Sequence, residues 1–337
     1  NLIFLAKIAG CKKLVIIENK SPASTDKFQT ESQETVKDKK IKLAHLNHEN
    51  ALVLRKLLPF TSPVAFGKKG MSMGLGDRLG LASPGHLRLV KNTDVRPVLA
   101  QQSIRELDLT ERTYEEVMDA ASWAVFQEGY HNGFGADGDH LKTEDEVKMA
   151  LNLGFTMITL DCSEKINNDV PSMSDDEVEK AYNQLNADYR ERLEKDYLNR
   201  EFNAGRYKIT FDGKNLQRLA LIYGKALDFT GHIFFDIVKP TARAVDFEVS
   251  IDETQTPTTP EAHFFVASEL EKMDVQATSV APRFCGEFQK GIDYIGDLEQ
   301  FEKELKIHAE IAEHFGYRLS IHSGSDKFKV FPIIGHY

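Results

Sequence analysis

The chain has 337 residues, of which 41% are hydrophobic and 28% charged, and its formal net charge is −10. That length suits one large α/β domain or two ordinary ones, and the composition is that of a globular protein with a sizeable core. The acidic balance argues against holding nucleic acid or an anionic membrane by bulk charge, since both need a basic face, although a few local Arg and Lys can still take a small anionic substrate.

Cys11, Cys162 and Cys285 are too few and too scattered for a disulfide framework or a closed Cys-based zinc site, which points to a reducing cytoplasm. No apolar run reaches the roughly 18–20 residues of a membrane span, and no secretory signal pattern is visible. The chain opens at Asn1 rather than at a methionine, and its true start is expected further upstream.

In chain order, residues 1–19 read as a short helix followed by the strand Lys13–Glu18. Residues 20–43 are rich in Ser, Thr, Gln, Glu and Lys with few apolar anchors, and read as a loop, so that 1–60 form an N-terminal extension. Residues 61–337 then alternate short β-branched runs with helical patterns, the mark of repeated βα units on a parallel sheet. Strands are expected in Met71–Leu81, Pro97–Gln102, Gly133–His140, Phe155–Leu160, Ala244–Ile251, Ala277–Pro282 and Arg318–His322. Helices are expected over Thr113–Gly129, where Thr113 is the N-cap, and over Thr143–Leu153, Pro260–Lys272 and Asp297–Phe315. The charged stretch at about 170–205 reads as a helical insertion on the rim. The fold class this predicts is α/β, a TIM-type (β/α)8 barrel. Its eighth strand comes either from the N-terminal strand or, as preferred here, from sequence beyond Tyr337.

In such a barrel the reactive groups sit at the C-terminal ends of the strands. Those positions hold Asp137, Asp139 and His140, then Glu248, Asp252 and Glu253, then Arg283 with Glu287 and Lys290, and finally His322 with Asp326 and Lys327. Imidazole and carboxylate from different strands, with an open position, are how a catalytic divalent metal is held. The neighbouring Arg and Lys match a carboxylate or phosphate on a substrate. Each group has a plainer reading as a turn, a helix cap or a core histidine; their coincidence at four strand ends favours a site. Strand parity places Glu248, Ser250 and Asp252 on one face and Glu253 on the other. His308 and His314 have charged neighbours and read as surface residues, while His263 can go either way. The glycines of Gly74–Gly80 miss the dinucleotide-binding spacing by one residue, and no Walker A sequence is present.

Several long phrases carry a family resemblance: GDRLGLASPGH (Gly76–His86), PVLAQQSIRE (Pro97–Glu106), GYHNGFGADGDHLKT (Gly129–Thr143), KPTARAVDFEVSIDET (Lys239–Thr254), APRFCGEFQKGIDYIGDL (Ala281–Leu298) and SIHSGSDKF (Ser320–Phe328). In order, from about residue 70 onward, the chain resembles the tagaturonate/fructuronate epimerases. The resemblance implies a metal-dependent epimerase interconverting D-tagaturonate and D-fructuronate in hexuronate catabolism. It implies Asp139 as proton acceptor, His140 and His322 as metal ligands, Glu287 as a third ligand, and Glu248 or Glu253 as proton donor. Arg283, Lys290 and Lys327 are the expected substrate contacts. Zn, Mn, Ni and Co all suit the ligand set, and neither the metal nor the oligomeric state is legible. The expected partner is the small keto-hexuronate, with no nucleic acid and no membrane.

The implied substrates constrain the chemistry. Counting from the carboxylate, the ketone is at C5 and the epimeric carbon is C3, which the ketone does not acidify. Removal of the C3 hydroxyl proton, rupture of C3–C4 and re-formation on the other face is therefore the expected route. Two other readings compete: another metal-dependent sugar isomerase or aldolase, and a sugar-sensing or scaffold protein without turnover.

Overall fold

Ala9 and Gly10 both adopt positive φ, 48° and 85°, and form a two-residue turn of the kind that suits the twist of a hairpin. The turn joins β1 (Leu2–Ile8) to β2 (Cys11–Glu18), which pair antiparallel from Leu2↔Ile17 to Ile8↔Cys11. The expected N-terminal helix is thus a strand: a short apolar run without clear periodicity fits either, and the turn decides it. Lys37 and Asp38, at φ 47° and 64°, make a second such turn between β3 (Thr30–Val36) and β4 (Lys39–Ala44). The expected polar loop is therefore largely a hairpin; its residues 20–24 lie outside the described residues, which are 1–18 and 25–337. The polarity has a physical cause: β3 is the edge of a sheet ordered β1-β2-β4-β3, and every one of its residues is exposed. Leu14, Ile16, Phe28, Ala44, Ala51, Leu54 and Trp123 bury the opposite side in one cluster.

The chain divides into two units, residues 1–139 with 149–157 and residues 140–148 with 158–337. The first also holds β5 (Ser72–Gly74) and β6 (Arg96–Ser103), which run parallel, and the helix Tyr114–Glu128. Thr113 caps that helix as expected, in a reciprocal capping box with Glu116, and Gly129 ends it at φ 57°. The strand β7 (Gly135–Leu141) spans the division at Asp139/His140. The second unit holds most of β8 (Met157–Asp161), the hairpin β9 (Glu201–Ala204) and β10 (Tyr207–Thr210), then β11 (Asp246–Ile251), β12 (Ser279–Pro282) and β13 (Arg318–Leu319). Between β8 and β9 lie the helices Asp175–Tyr182 and Ala187–Tyr197.

Seven strands make one sheet, ordered β13-β12-β11-β8-β7-β6-β5. Apart from the small β9–β10 hairpin, each strand lies beside its predecessor, as repeated βα units require. The expected closed (β/α)8 barrel is not formed. Among the described residues the sheet stays open, ending in the two-residue β13 and the three-residue β5, which do not pair with each other. Closure is a property of the first and last strands together, and alternating βα patterns suit an open sheet as well as a barrel. No helix among the described residues is long and apolar enough to cross a membrane.

Candidate active site

The chemistry gathers at the C-terminal ends of parallel strands in the second unit. His140 lies near the end of β7, with its backbone in the left-handed region at φ 53°. Asp161 is the last residue of β8. Glu248 lies within β11 and Asp252 follows it, and His322 follows β13 by three residues. The two histidine rings meet edge to face with centroids 4.8 Å apart.

His322 stands between two acids: Nε2 lies 2.7 Å from Glu248 Oε1 and Nδ1 lies 3.1 Å from Asp252 Oδ2. Burial works against charge on His322, but Asp252 and Glu248 outweigh it and lift its pKa well above the usual imidazole range. Burial also opposes charge on both acids, yet His322 keeps each below the usual carboxyl range. Glu248 is further held by Ser279 Oγ, and Asp252 by Ser250 Oγ. Parity along β11 thus puts Glu248, Ser250 and Asp252 in one polar row, as expected, while Glu253 is exposed.

On the other side, His140 Nδ1 lies 3.5 Å from Asp161 Oδ2, and Lys142 Nζ lies 3.4 Å from the same oxygen and 3.6 Å from Glu253 Oε2. Burial would raise the Asp161 carboxyl, but His140 and the hydroxyl and amide of Ser163 hold it far below the usual range. Burial would lower Lys142, and Asp161 and Glu253 raise it instead.

His140, Asp252 and His322 offer ligand atoms within 4.8 Å of one another, and His140, Asp161 and Glu253 form a second such group. Nδ1 of His322 and Oδ2 of Asp161 are buried without a hydrogen bond. The 3.1 Å between His322 Nδ1 and Asp252 Oδ2 is the spacing of two donors on one ion at roughly 2.0–2.2 Å from each. These residues fit a divalent cation in number, type and spacing.

The other expected site residues are distributed less evenly. Arg283 and Glu287 line a cavity of about 440 Å³ together with Asp252, Phe284, Phe288 and His322. Glu287 is exposed and accepts from Gln289 Nε2 at 2.5 Å; it is not in either convergent group, where Asp252 and Asp161 stand instead. Lys290 is exposed on the same loop. Lys327 is fully buried, and its ammonium donates to the carbonyls of Gln289, Ile292 and Ser325 at 2.6, 2.7 and 2.9 Å. With three donors on three acceptors it has none left for a substrate. The same loop is pinned by buried Tyr294, whose hydroxyl donates to Cys285 O at 3.1 Å. A Cβ at Gly286 or Gly296 would come within 2.4 Å of that hydroxyl. Asp139 is half-buried in β7 immediately before His140.

Sequence reasoning passed over Asp161 and Lys142 as site residues and did not select Asp252 as a ligand. Asp161 and Asp252 did carry a signal, since each stands at the end of a fully buried strand run, FTMITLD and FEVSID. His308, expected at the surface, is fully buried, with Nδ1 2.8 Å from Nδ1 of His263 and Tyr317 Oη 2.6 Å from His263 Nε2; His314 is exposed as expected.

The model of the UxaE family, described as tagaturonate epimerase, matches residues 1–337. A curated tagaturonate/fructuronate epimerase from Thermotoga maritima is 44% identical over 330 residues, covering 98% of this chain and 67% of the relative. The native crystal structure of fructuronate-tagaturonate epimerase UxaE from Cohnella laeviribosi superposes with a TM-score of 0.95 at 52% identity, covering 99% of this chain and 67% of that one. A glycerol complex of the same enzyme matches equally well, with a TM-score of 0.95.

Proposed function

Because the chain belongs to the tagaturonate epimerase family, we propose that it interconverts D-tagaturonate and D-fructuronate with the help of a divalent cation. The observation that carries the metal requirement is the convergence of His140, Asp252 and His322 within 4.8 Å. These three residues would hold the cation. When bound, it supplies Lewis-acid stabilisation of the negative charge that develops on the ketone half of the substrate.

The chain's own groups do the rest. Asp139 takes the proton of the C3 hydroxyl, which lets C3–C4 break and leaves an aldehyde on the carboxylate-bearing half. Arg283, on the wall of the cavity, anchors that carboxylate. Lys290 lies on the same wall loop, whereas Lys327 holds the loop itself. Rotation of the aldehyde presents its other face, C3–C4 re-forms, and the C3 alkoxide takes a proton from an acid on that side, while Asp139 releases the proton it took to water. Glu248 would be supplied with a proton through His322 Nε2, 2.7 Å away, and Glu253, which is exposed, from water. Both are able to donate it, and the variants Glu248→Gln and Glu253→Gln separate them.

The test is product analysis on D-tagaturonate after chelation and after adding back Mn(II) or Co(II). Appearance of D-fructuronate only with metal supports the reading. Full activity in chelator removes the metal requirement, and three-carbon fragments as the main product replace the epimerase with an aldolase. In deuterium oxide, bond rupture at C3–C4 leaves protium on C3 of the product. Stoichiometric deuterium there ends the carbon–carbon mechanism while leaving the epimerase assignment intact.

A further inference from the structure

We infer that Thr258 is a positioning residue for the substrate carboxylate: its backbone N–H and its side-chain oxygen hold the Arg283 backbone at both polar groups and so aim Arg283 at the cavity that it lines. The inference rests on the reading above in which Arg283 anchors that carboxylate. It assigns a role to a residue that the epimerisation scheme leaves unused.

β11 and β12 pair as far as Ile251↔Pro282, so Arg283 is the first residue beyond that ladder and its backbone groups need partners from elsewhere. Thr258 supplies both. Its N–H donates to Arg283 O at 2.8 Å, and its Oγ1 accepts from the Arg283 N–H at 3.0 Å. Two bonds to one residue fix the peptide planes on either side of its Cα, and with them the direction in which Cβ leaves the chain. The following stretch is held too, since the Cys285 N–H donates to Glu304 Oε2 at 3.0 Å. Arg283 is half-buried on the cavity wall, and its guanidinium makes no hydrogen bond or ion pair among the described residues. The backbone therefore does the aiming that a side-chain partner would otherwise do.

The place of Thr258 in the sequence points the same way. Thr259 is the N-cap of the helix Pro260–Lys272, its side chain accepting from the Ala262 N–H at 3.2 Å, and Thr258 stands one residue before the cap. That position often carries an apolar residue that packs on the first turns of the helix. A hydroxyl there, in a residue only 3% exposed, loses hydration that an apolar side chain would not, and the bond from the Arg283 N–H offsets the loss.

The test measures KM and kcat for D-tagaturonate on the whole chain supplied with Mn(II) or Co(II), at a temperature where circular dichroism shows each variant folded. Absence of turnover in the wild type overturns the proposed function before any substitution is made. Arg283→Met should raise KM by roughly 10–100-fold; an unchanged KM overturns the carboxylate reading, whatever Thr258 does. Thr258→Val, which exchanges the hydroxyl for a methyl, should raise KM by about three- to tenfold with kcat little changed. Thr258→Ser, which keeps the oxygen, should stay near the wild type. Thr258→Ala removes the same oxygen and replaces the valine variant if that one does not fold. In the Arg283→Met background, loss of the Thr258 oxygen should raise KM no further, because the two residues act as one unit. With Arg283→Met impaired, three results each overturn the inference while the carboxylate reading stands: wild-type KM in Thr258→Val, an equal rise in Thr258→Ser, or the same rise with and without Arg283.

Discussion

Lys327 gives the sharpest division between a substrate contact and a structural group. Lys327→Met keeps the length of the side chain and removes the ammonium. Three carbonyls, those of Gln289, Ile292 and Ser325, then lose a donor at 2.6–2.9 Å that a fully buried side chain supplies. Hydrogen bonds to charged groups contribute about 1.5–3 kcal/mol each, but part of that is recovered because a buried charge disappears with them, so a net loss of about 3–5 kcal/mol is expected. At roughly 2–4 °C per kcal/mol for a unit of this size, Tm should fall by about 10 °C. Lys327→Gln, which retains two donors, should lose about half as much. Thermal unfolding followed by circular dichroism measures both, alongside KM and kcat for D-tagaturonate at a temperature where each variant is folded. An unchanged Tm with KM raised tenfold or more would refute the reasoning and return Lys327 to the substrate.

Asp139→Asn should keep fold and metal content and lose roughly 10²–10⁴-fold in kcat, the usual cost of removing a general base; retained activity would move the role elsewhere, although Asp137 is buried and accepts from Gln101 Nε2 at 3.1 Å. His322→Ala should lower metal affinity and regain part of its rate when metal is added, whereas lost activity at full metal occupancy would make His322 a substrate contact. Stability should also depend on His263 and His308. Burial pushes His308 down to about 4 and His263 well below the usual range, so both stay neutral in the folded chain. Below about pH 6.5 the unfolded chain binds more protons than the folded one, so stability falls as pH drops from about 6.5 toward 4, by up to ~1.4 kcal/mol per pH unit for each histidine. Urea unfolding between pH 7 and 4.5 checks this, and His308→Gln should flatten the slope.

The candidate site was legible where an imidazole stood at or just beyond a strand end, with acids at other strand ends, as at His140 and His322. Asp161 was passed over because a lone acid after a strand also reads as a turn or cap. Lys327 is expected at the substrate because a cation near a strand end matches an anionic ligand; its three carbonyl partners come from residues 289, 292 and 325, a tertiary arrangement with no local pattern. The same holds for closure of the barrel, since pairing of first and last strands has no periodic signature. β3 escaped detection because strand patterns record the burial of one face, and neither face of β3 is buried.

The loop from Cys285 to Asp297 is tied down at Gln289 and Ile292 by Lys327, and its two ends are drawn together around Tyr294. A wall fixed in this way has already given up its conformational freedom during folding. Ligand binding then need not order it again, a saving of roughly 0.5–1.5 kcal/mol for each side chain already immobilised. If the cavity beside His322 takes the substrate as proposed, it would select by fixed shape and by the placement of Arg283, and a keto acid with its charge at the wrong end would meet a surface that cannot remodel to receive it.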